Sequence, residues 1–412
     1  GIVNALSKEK DENARILPLI KQLSQVSKKE RIIEILPRLG GSKALETVTG
    51  YMNSSVETEK VAALNSLINW KDYSASASLY QYCQNSQGES QSAALKGFVR
   101  QISSSALPDD QKLLQYRKIM SFATTNNDKT LVIQSIGELK TFLSLITVSK
   151  YLDAPELSAE AAQAAMAIAL PSQDFGGFSG TLVKDILTKS ADKLSGSESQ
   201  YERERIKNYL AEMQKGEGFV SMFNGTDLAG WQGLVGNPIT RAKMKPQELA
   251  KKQVEANQKA FKLWGVKDGC IVFNGEGDNL CSIKQYGDFE LVVDWKITKK
   301  GDSGIYLRGS PQVQIWDTSR VEEGAQVGSG GLYNNQKFQD KPLKVADNPV
   351  GEWNTFRIKM IGEKVTVWLN GELVVNNVPL ENYWDRSIPI FPEGSIELQA
   401  HGTELALRDI YV

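Results

Sequence analysis

The stretch "IELQAHG", residues 396–402, sets Glu397, Gln399 and His401 at alternate positions, and His401 is the only histidine in the chain. Alternate residues of a strand share a face, so these three side chains stand together, opposite Ile396, Leu398 and Ala400. Three other stretches repeat the arrangement. In "DFELVVDW" Glu290 and Asp294 oppose Phe289, Leu291, Val293 and Trp295; in "IYLRG" Tyr306 and Arg308 oppose Ile305 and Leu307. In "QVQIWD" Gln312, Gln314 and Trp316 oppose Val313 and Ile315. A single strand of this kind is an ordinary half-exposed antiparallel strand. Four of them carry acids, amides, aromatics, a guanidinium and an imidazole, rather than the Lys, Thr and Ser of a plain solvated face. Acids and amides hydrogen-bond hydroxyls and aromatic faces stack on rings, so the set suits a carbohydrate groove. Glu290, Asp294, Tyr306, Arg308, Gln314, Glu397, Gln399 and His401 are therefore expected to converge on one concave surface. For His401 the competing assignment is an ordinary strand-end residue.

The elements that must position these groups read as two halves with different periods. Residues to about 215 carry helical spacing throughout. "SSVETEKVAALNSLINW" opens with Ser54 and Glu57 at the spacing of a capping box and sets Val61, Leu64, Leu67 and Ile68 on one face. Comparable units recur at intervals of roughly 30–40 residues, the spacing of stacked helix pairs in an α-solenoid, and resemble HEAT-like or armadillo-like repeats. Such a domain suits docking of a protein partner, whereas "EKDEN" and "YERER" read as solvated charged faces. After "AEMQKGEGF" the chain becomes rich in short alternating strands. "LNGE" at 369–372 is an Asn-Gly hairpin signal. Many short antiparallel strands mean a β-sandwich or jelly roll. One helical insertion, "KPQELAKKQVEANQKAFKLW" at residues 245–264, interrupts it, and just before it "TRAKM" offers Arg241 and Lys243 to the groove. The expected organisation is a helical domain over 1–215 and a sandwich over 216–412.

Composition narrows the function class. Lys+Arg 48 against Asp+Glu 49 gives no global charge bias, so neither nucleic acid nor an anionic membrane is an expected partner. No run approaches the ~20 apolar residues that span a bilayer. "GIVNALSKEKDEN" has no long apolar run after a basic start, and its leading Gly leaves room for a preceding export signal, so localisation stays open. The chain has three cysteines. Cys83 falls in a helical pattern as a small buried residue. Cys270 and Cys281 flank "FNGEGDN", read as a hairpin turn between neighbouring strands. Free thiols are expected even so, because a disulfide tolerates only a narrow Cα separation. Without a CxxC or a His/Cys cluster, a structural zinc site is not expected.

The second half also resembles a known family. "FVSMFNGTDLAGW" (219–231), the insertion with its flanks (236–291), "DSGIYLRG" (302–309), "GEWNTFRI" (351–358), "VTVWLNGELVV" (365–375) and "NYWDRSIPIFPEGSIELQAHG" (382–402) are similar to the 3-keto-disaccharide hydrolase domain. The likeness spans 219–412 and includes the insertion. Asp302 stands where many members have Asn, and Ala400 where Asp or Asn is common. The resemblance implies a concanavalin-like jelly roll and cleavage of glycosides whose C3 hydroxyl has been oxidised to a ketone. Such a ketone acidifies the C2 proton. A base removes that proton, the C1 substituent leaves by β-elimination, and water then adds to the enone. Candidate bases are His401, Glu397, Glu290 and Asp294; candidate partners of the enolate or of hydroxyls are Arg308 and Tyr306. A divalent ion is a further candidate for the enolate charge, with no ligand set assigned. Gln312, Gln314, Gln399, Trp316, Arg241 and Lys243 complete the expected substrate contacts. Two alternatives stay open: a non-catalytic carbohydrate-binding module, and an ordinary retaining glycosidase using Glu290 and Asp294 about 5 Å apart.

Overall fold

The computed structural model describes residues 6, 8–213, 216 and 218–412. The chain divides into two compact units, one of Gly1–Phe178 with Asp185–Glu212, the other of Ser179–Lys184 with Met213–Val412. The expected boundary between residues 215 and 216 touches residues outside the described set.

The first unit is helical, from Glu12–Leu23 to Ser199–Glu212, with helix lengths of 4 to 16 residues. Its core is built from Leu, Ile and Ala, including Leu67, Leu79, Ile133 and Ile146, around Trp70 and Phe98. The helix Glu57–Ile68 differs locally from expectation. Its N-cap is Val56 and no capping box forms. Ser54 Oγ instead donates to Glu59 Oε2 at 2.5 Å and accepts from Val56 N, so it shapes the turn before the helix. The buried face is Ala62, Ala63, Ser66 and Leu67, with Val61 exposed, because small residues let the helix approach its neighbours on that side. Among the described residues no helix is long and apolar enough to cross a membrane.

The second unit is a sandwich of two antiparallel sheets. Its strands are β1 (Trp231–Gly233), β2 (Trp264–Lys267), β3 (Cys270–Asn274), β4 (Leu280–Ser282), β5 (Phe289–Ile297), β6 (Asp302–Leu307), β7 (Ser310–Trp316), β8 (Asn354–Ile361), β9 (Lys364–Leu369), β10 (Glu372–Pro379), β11 (Glu397–Leu398) and β12 (Glu404–Tyr411). One sheet runs β1-β4-β11-β6-β7 and the other β10-β9-β8-β5-β12-β3-β2. Alternation fills the space between them with one side of every strand. Leu291, Val293 and Trp295 of β5 meet Ile305, Leu307, Val313, Ile315, Ile396 and Leu398 of the facing sheet. Each such side chain contributes roughly 1.5–3 kcal/mol when fully buried, so a one-residue slip of any strand is excluded.

The Asn-Gly turn joins β9 to β10 with Asn370 at φ 54° and Gly371 at φ 83°, the two left-handed residues that a tight hairpin of this twist needs. The insertion expected over 245–264 folds as the helix Pro246–Ala260, with Trp264 already opening β2, and a short separate helix, Pro238–Ala242, precedes it. "FNGEGDN" is not a hairpin turn. β3 and β4 belong to different sheets, so this segment crosses between layers and separates Cys270 from Cys281. All three cysteines are free thiols.

Candidate functional site

The outward side of the five-stranded sheet collects most of the polar residues singled out in the sequence. Register sets them in rows. Glu397 pairs with Tyr306 and Cys281, and Gly304 with Gln314. Gln399 N donates to Gly304 O, and Asp302 pairs with Trp316. The side chains then bond along the face. Gln312 Nε2 donates to Gln314 Oε1, and Gln314 Nε2 donates to Asp302 Oδ1 at 2.8 Å. Asp302 Oδ2 receives Arg320 Nη1 at 2.5 Å and lies 3.5 Å from His401 Nδ1. Gln399 Nε2 reaches the Tyr306 hydroxyl at 3.4 Å. A Cβ at Gly304 would come within 2.8 Å of the Gln312 side chain that lies across it, so Gln312 would have to shift.

The two ends of this face differ electrostatically. At one end His401 is half exposed, with 54% of its side chain accessible, and its Nδ1 lies 3.5 Å from Asp302 Oδ2, a carboxylate itself anchored by Arg320 and Gln314. A carboxylate at this place favours the protonated imidazole. At the other end Glu397 is buried. Its Oε1 accepts from Ser395 Oγ at 3.2 Å and faces Arg241 Nη2 at 3.8 Å; its Oε2 has no hydrogen-bond partner among the described residues. Burial pushes its carboxyl up to about 7, against the opposing pull of Arg241. Burial also raises the Tyr306 phenol and pushes the neighbouring Cys281 thiol up to about 12. Gln312 Oε1 and Gln399 Oε1 are likewise buried without partners among the described residues.

A stability test follows from Glu397. Its folded value of about 7 lies above the ordinary 4.5, so between these values the folded state binds more protons than the unfolded chain. Stability therefore falls as pH rises through that window and levels off above it. Glu397→Gln removes this dependence. Relative to the native chain, the variant should gain stability from pH 5 to pH 8, by up to about 3 kcal/mol. Tryptophan-monitored denaturation measures it, since seven of the eight tryptophans lie in residues 219–412. A difference that stays constant across pH would refute the buried-acid assignment.

Four expected site residues belong elsewhere. Glu290 and Asp294 sit on β5, in the seven-stranded sheet, and face away from the core there. Glu290 pairs with Arg357 at 2.6 Å. Asp294 is fully buried and bonds Thr355 Oγ1 at 2.7 Å and Arg408 Nε at 3.2 Å. Alternation told correctly which side of β5 they occupy, but two sheets have two outward sides. A retaining pair built on them is thus remote from the other candidates. Arg308 also leaves the face. The register shifts after Ile305, Arg308 takes φ 52°, and its buried guanidinium donates to Gly287 O, Phe391 O and Asp288 Oδ1. Lys243 is exposed at the end of the Pro238–Ala242 helix, beside a small cavity of about 440 Å³ shared with Arg241 and Arg308. Trp316 keeps its place on the face but is buried, its Nε1 donating to Gly328 O at 2.8 Å.

Asp302 and Arg320 were not among the expected site residues. Asp302 shares the face of Gly304 and Tyr306, so the same alternation contained it; Arg320 comes from a loop and carries no periodic signal. Among the described residues no three His, Cys, Asp or Glu side chains are grouped to hold a metal ion.

Residues 218–412 match the model of the 3-keto-alpha-glucoside-1,2-lyase-like domain. This part of the chain belongs to that family. A 3-keto-disaccharide hydrolase from Bacteroides thetaiotaomicron is 23% identical over 248 residues, covering 48% of this chain and 78% of that protein. A crystal structure of a glycosyl-hydrolase candidate from Parabacteroides distasonis is 23% identical, covering 47% of this chain and 92% of that one, with a TM-score of 0.35. The Bacillus licheniformis β-glucanase is 10% identical, covering 48% of this chain and 98% of that one, with a TM-score of 0.27. The 3-keto-glucoside-lyase-like domain thus coincides with the sandwich, insertion included.

Proposed function

We propose that the outward side of the five-stranded sheet cleaves 3-keto-glycosides. The observation that carries this reading is the accessible His401 imidazole beside the Asp302 carboxylate at the end of an amide and phenol face. In this reading His401 takes the C2 proton that the C3 ketone has acidified. Electrons move from the C2–H bond into a C1=C2 double bond formed as the ketone is restored, and the C1–O bond breaks. The departing alkoxide takes a proton, and the Tyr306 hydroxyl is the donor on this face. Water added across the enone regenerates a 3-keto sugar, so the sum is hydrolysis; without that step the sum is elimination. Family membership of residues 218–412 supports the substrate class.

The second reading, a module that only binds sugar, is favoured by the buried state of Glu397 and Gln312 but leaves the Arg320–Asp302–His401 chain without a task. Incubation with a 3-keto-glucoside and its unoxidised parent, each with and without a chelator, separates these. Release of the aglycone from the ketone alone is the expected result. Cleavage of the parent alone, or of neither, would sink the proposal.

A further inference from the structure

The other outward side of the sandwich, on the seven-stranded sheet, carries a groove of its own. Register builds its floor. Gly265 pairs with Val272, Val272 with Ala406 and Ala406 with Lys296, so one row runs across β2, β3, β12 and β5. Three of its four members have short side chains. On the next row of the same side stand Lys267, Cys270 and Arg408, where Lys267 pairs with Cys270 and Arg408 with Asp294. The longer side chains rise beside the short ones and leave a cavity of about 1060 Å³.

Charge sets this groove apart from a chain whose formal net charge is −1. Lys262, Lys267, Lys296, Lys299 and Arg408 line it, against the carboxylates of Asp268 and Glu404. Two of these cations are ordered on an aromatic ring. Lys296 Nζ lies 4.9 Å from the centroid of the half-buried Trp353, and the Arg408 guanidinium 4.0 Å. Asp294, wholly buried, takes Arg408 Nε on Oδ2 at 3.2 Å and Thr355 Oγ1 on Oδ1 at 2.7 Å. It thereby fixes the guanidinium against the indole, and Asp409 Oδ2 lies 3.8 Å from the same Nε. These two acids offset Arg408, so the excess positive charge of the groove comes from its four lysines.

An occupant must suit a short apolar floor, an indole and an excess of ammonium groups. A pyranose lays its C–H face on apolar surface and aromatic rings, and an acidic substituent pairs with lysines. The paired row across four strands is about 14 Å wide, longer than one sugar ring. A nucleic acid suits the groove less, because its dense phosphate charge calls for a continuous basic track. Asp268 and Glu404 interrupt such a track, yet they suit sugar hydroxyls as acceptors. We propose that this groove binds an acidic polysaccharide, as a second carbohydrate site separate from the His401 face. The proposal does not depend on what the His401 face cleaves.

Calorimetric titration of the full chain with polygalacturonate, dextran and an oligothymidylate tests the idea. Polygalacturonate should bind at least about tenfold more tightly than either of the others, and should weaken as salt is raised. Lys296→Gln combined with Lys299→Gln should raise its Kd about tenfold at native circular dichroism. Cys270 reports the place of binding, since it lines the groove half-buried while Cys83 and Cys281 are buried. Polygalacturonate should slow alkylation of Cys270 by iodoacetamide, followed by mass spectrometry, and dextran should not. This protection is read in the native chain, so it decides even where the double variant fails to fold. Absence of polygalacturonate binding, equal affinity for dextran, or an unchanged Kd in the folded double variant overturns the proposal. Tighter binding of the oligothymidylate refutes the glycan as occupant. Binding that leaves Cys270 as reactive as in the free chain places polygalacturonate elsewhere and refutes the groove.

Discussion

Replacing His401 with Gln should leave the fold intact and lower turnover of a 3-keto-glycoside by about 100-fold or more, the usual scale for losing a positioned acid–base group. Folding should survive because His401 contributes little packing; more than half of its side chain is in solvent. Gln keeps much of the size of His but cannot take a proton. Asp302→Asn should fall between the native chain and His401→Gln, since the imidazole stays and loses the neighbouring negative charge. The loss should appear in kcat rather than in KM, because the base acts on a bond broken only in the transition state. A His401→Gln protein with native circular dichroism and native turnover would return His401 to the role of an ordinary strand-end residue.

Several parts of this site were legible in the residue pattern because a strand has a period of two. Glu397, Gln399, Tyr306, Gln312 and Gln314 share a side in the sequence and share a side of the sheet. The same period could not tell which sheet a strand joins. Glu290 and Asp294 have the right polarity and the right alternation, yet β5 lies in the seven-stranded sheet, between β8 and β12. Pairing between strands distant in sequence is a property of the whole fold. The misplacement of Arg308 has a different origin. Arg308 and Gly309 form the two-residue turn between β6 and β7, both at positive φ, and the alternation was carried past Leu307 into that turn although Gly309 marks it. The loop residue Arg320 had no period to betray it. The Asn370–Gly371 turn was readable for the opposite reason: its backbone angles demand those residue types locally. The two-sheet sandwich and its helical insertion were likewise legible, since short strands, turn chemistry and a single helical run all point the same way.

Arg308 supplies the second large effect, one of stability. Its Nε donates to Gly287 O at 2.7 Å, Nη1 to Phe391 O at 3.2 Å and Nη2 to Asp288 Oδ1 at 2.9 Å. One guanidinium therefore ties the segment before β5 to the segment before β11, and Gly394 packs against its backbone with no room for a Cβ. Arg308→Met keeps much of the buried volume but strips two carbonyls of a charged donor. Hydrogen bonds to charged groups contribute about 1.5–3 kcal/mol each, and part of that returns through water at the exposed Asp288 side. A net loss of about 3 kcal/mol is expected, which lowers the melting temperature of a unit of this size by roughly 10 °C. Arg308→Lys should recover little, because an ammonium cannot reproduce the three-way fork. Turnover per folded molecule at low temperature should be kept, since the guanidinium is spent on backbone carbonyls and does not face the His401 surface. A variant that melts like the native chain but has lost turnover would place Arg308 back among the groups that act on substrate.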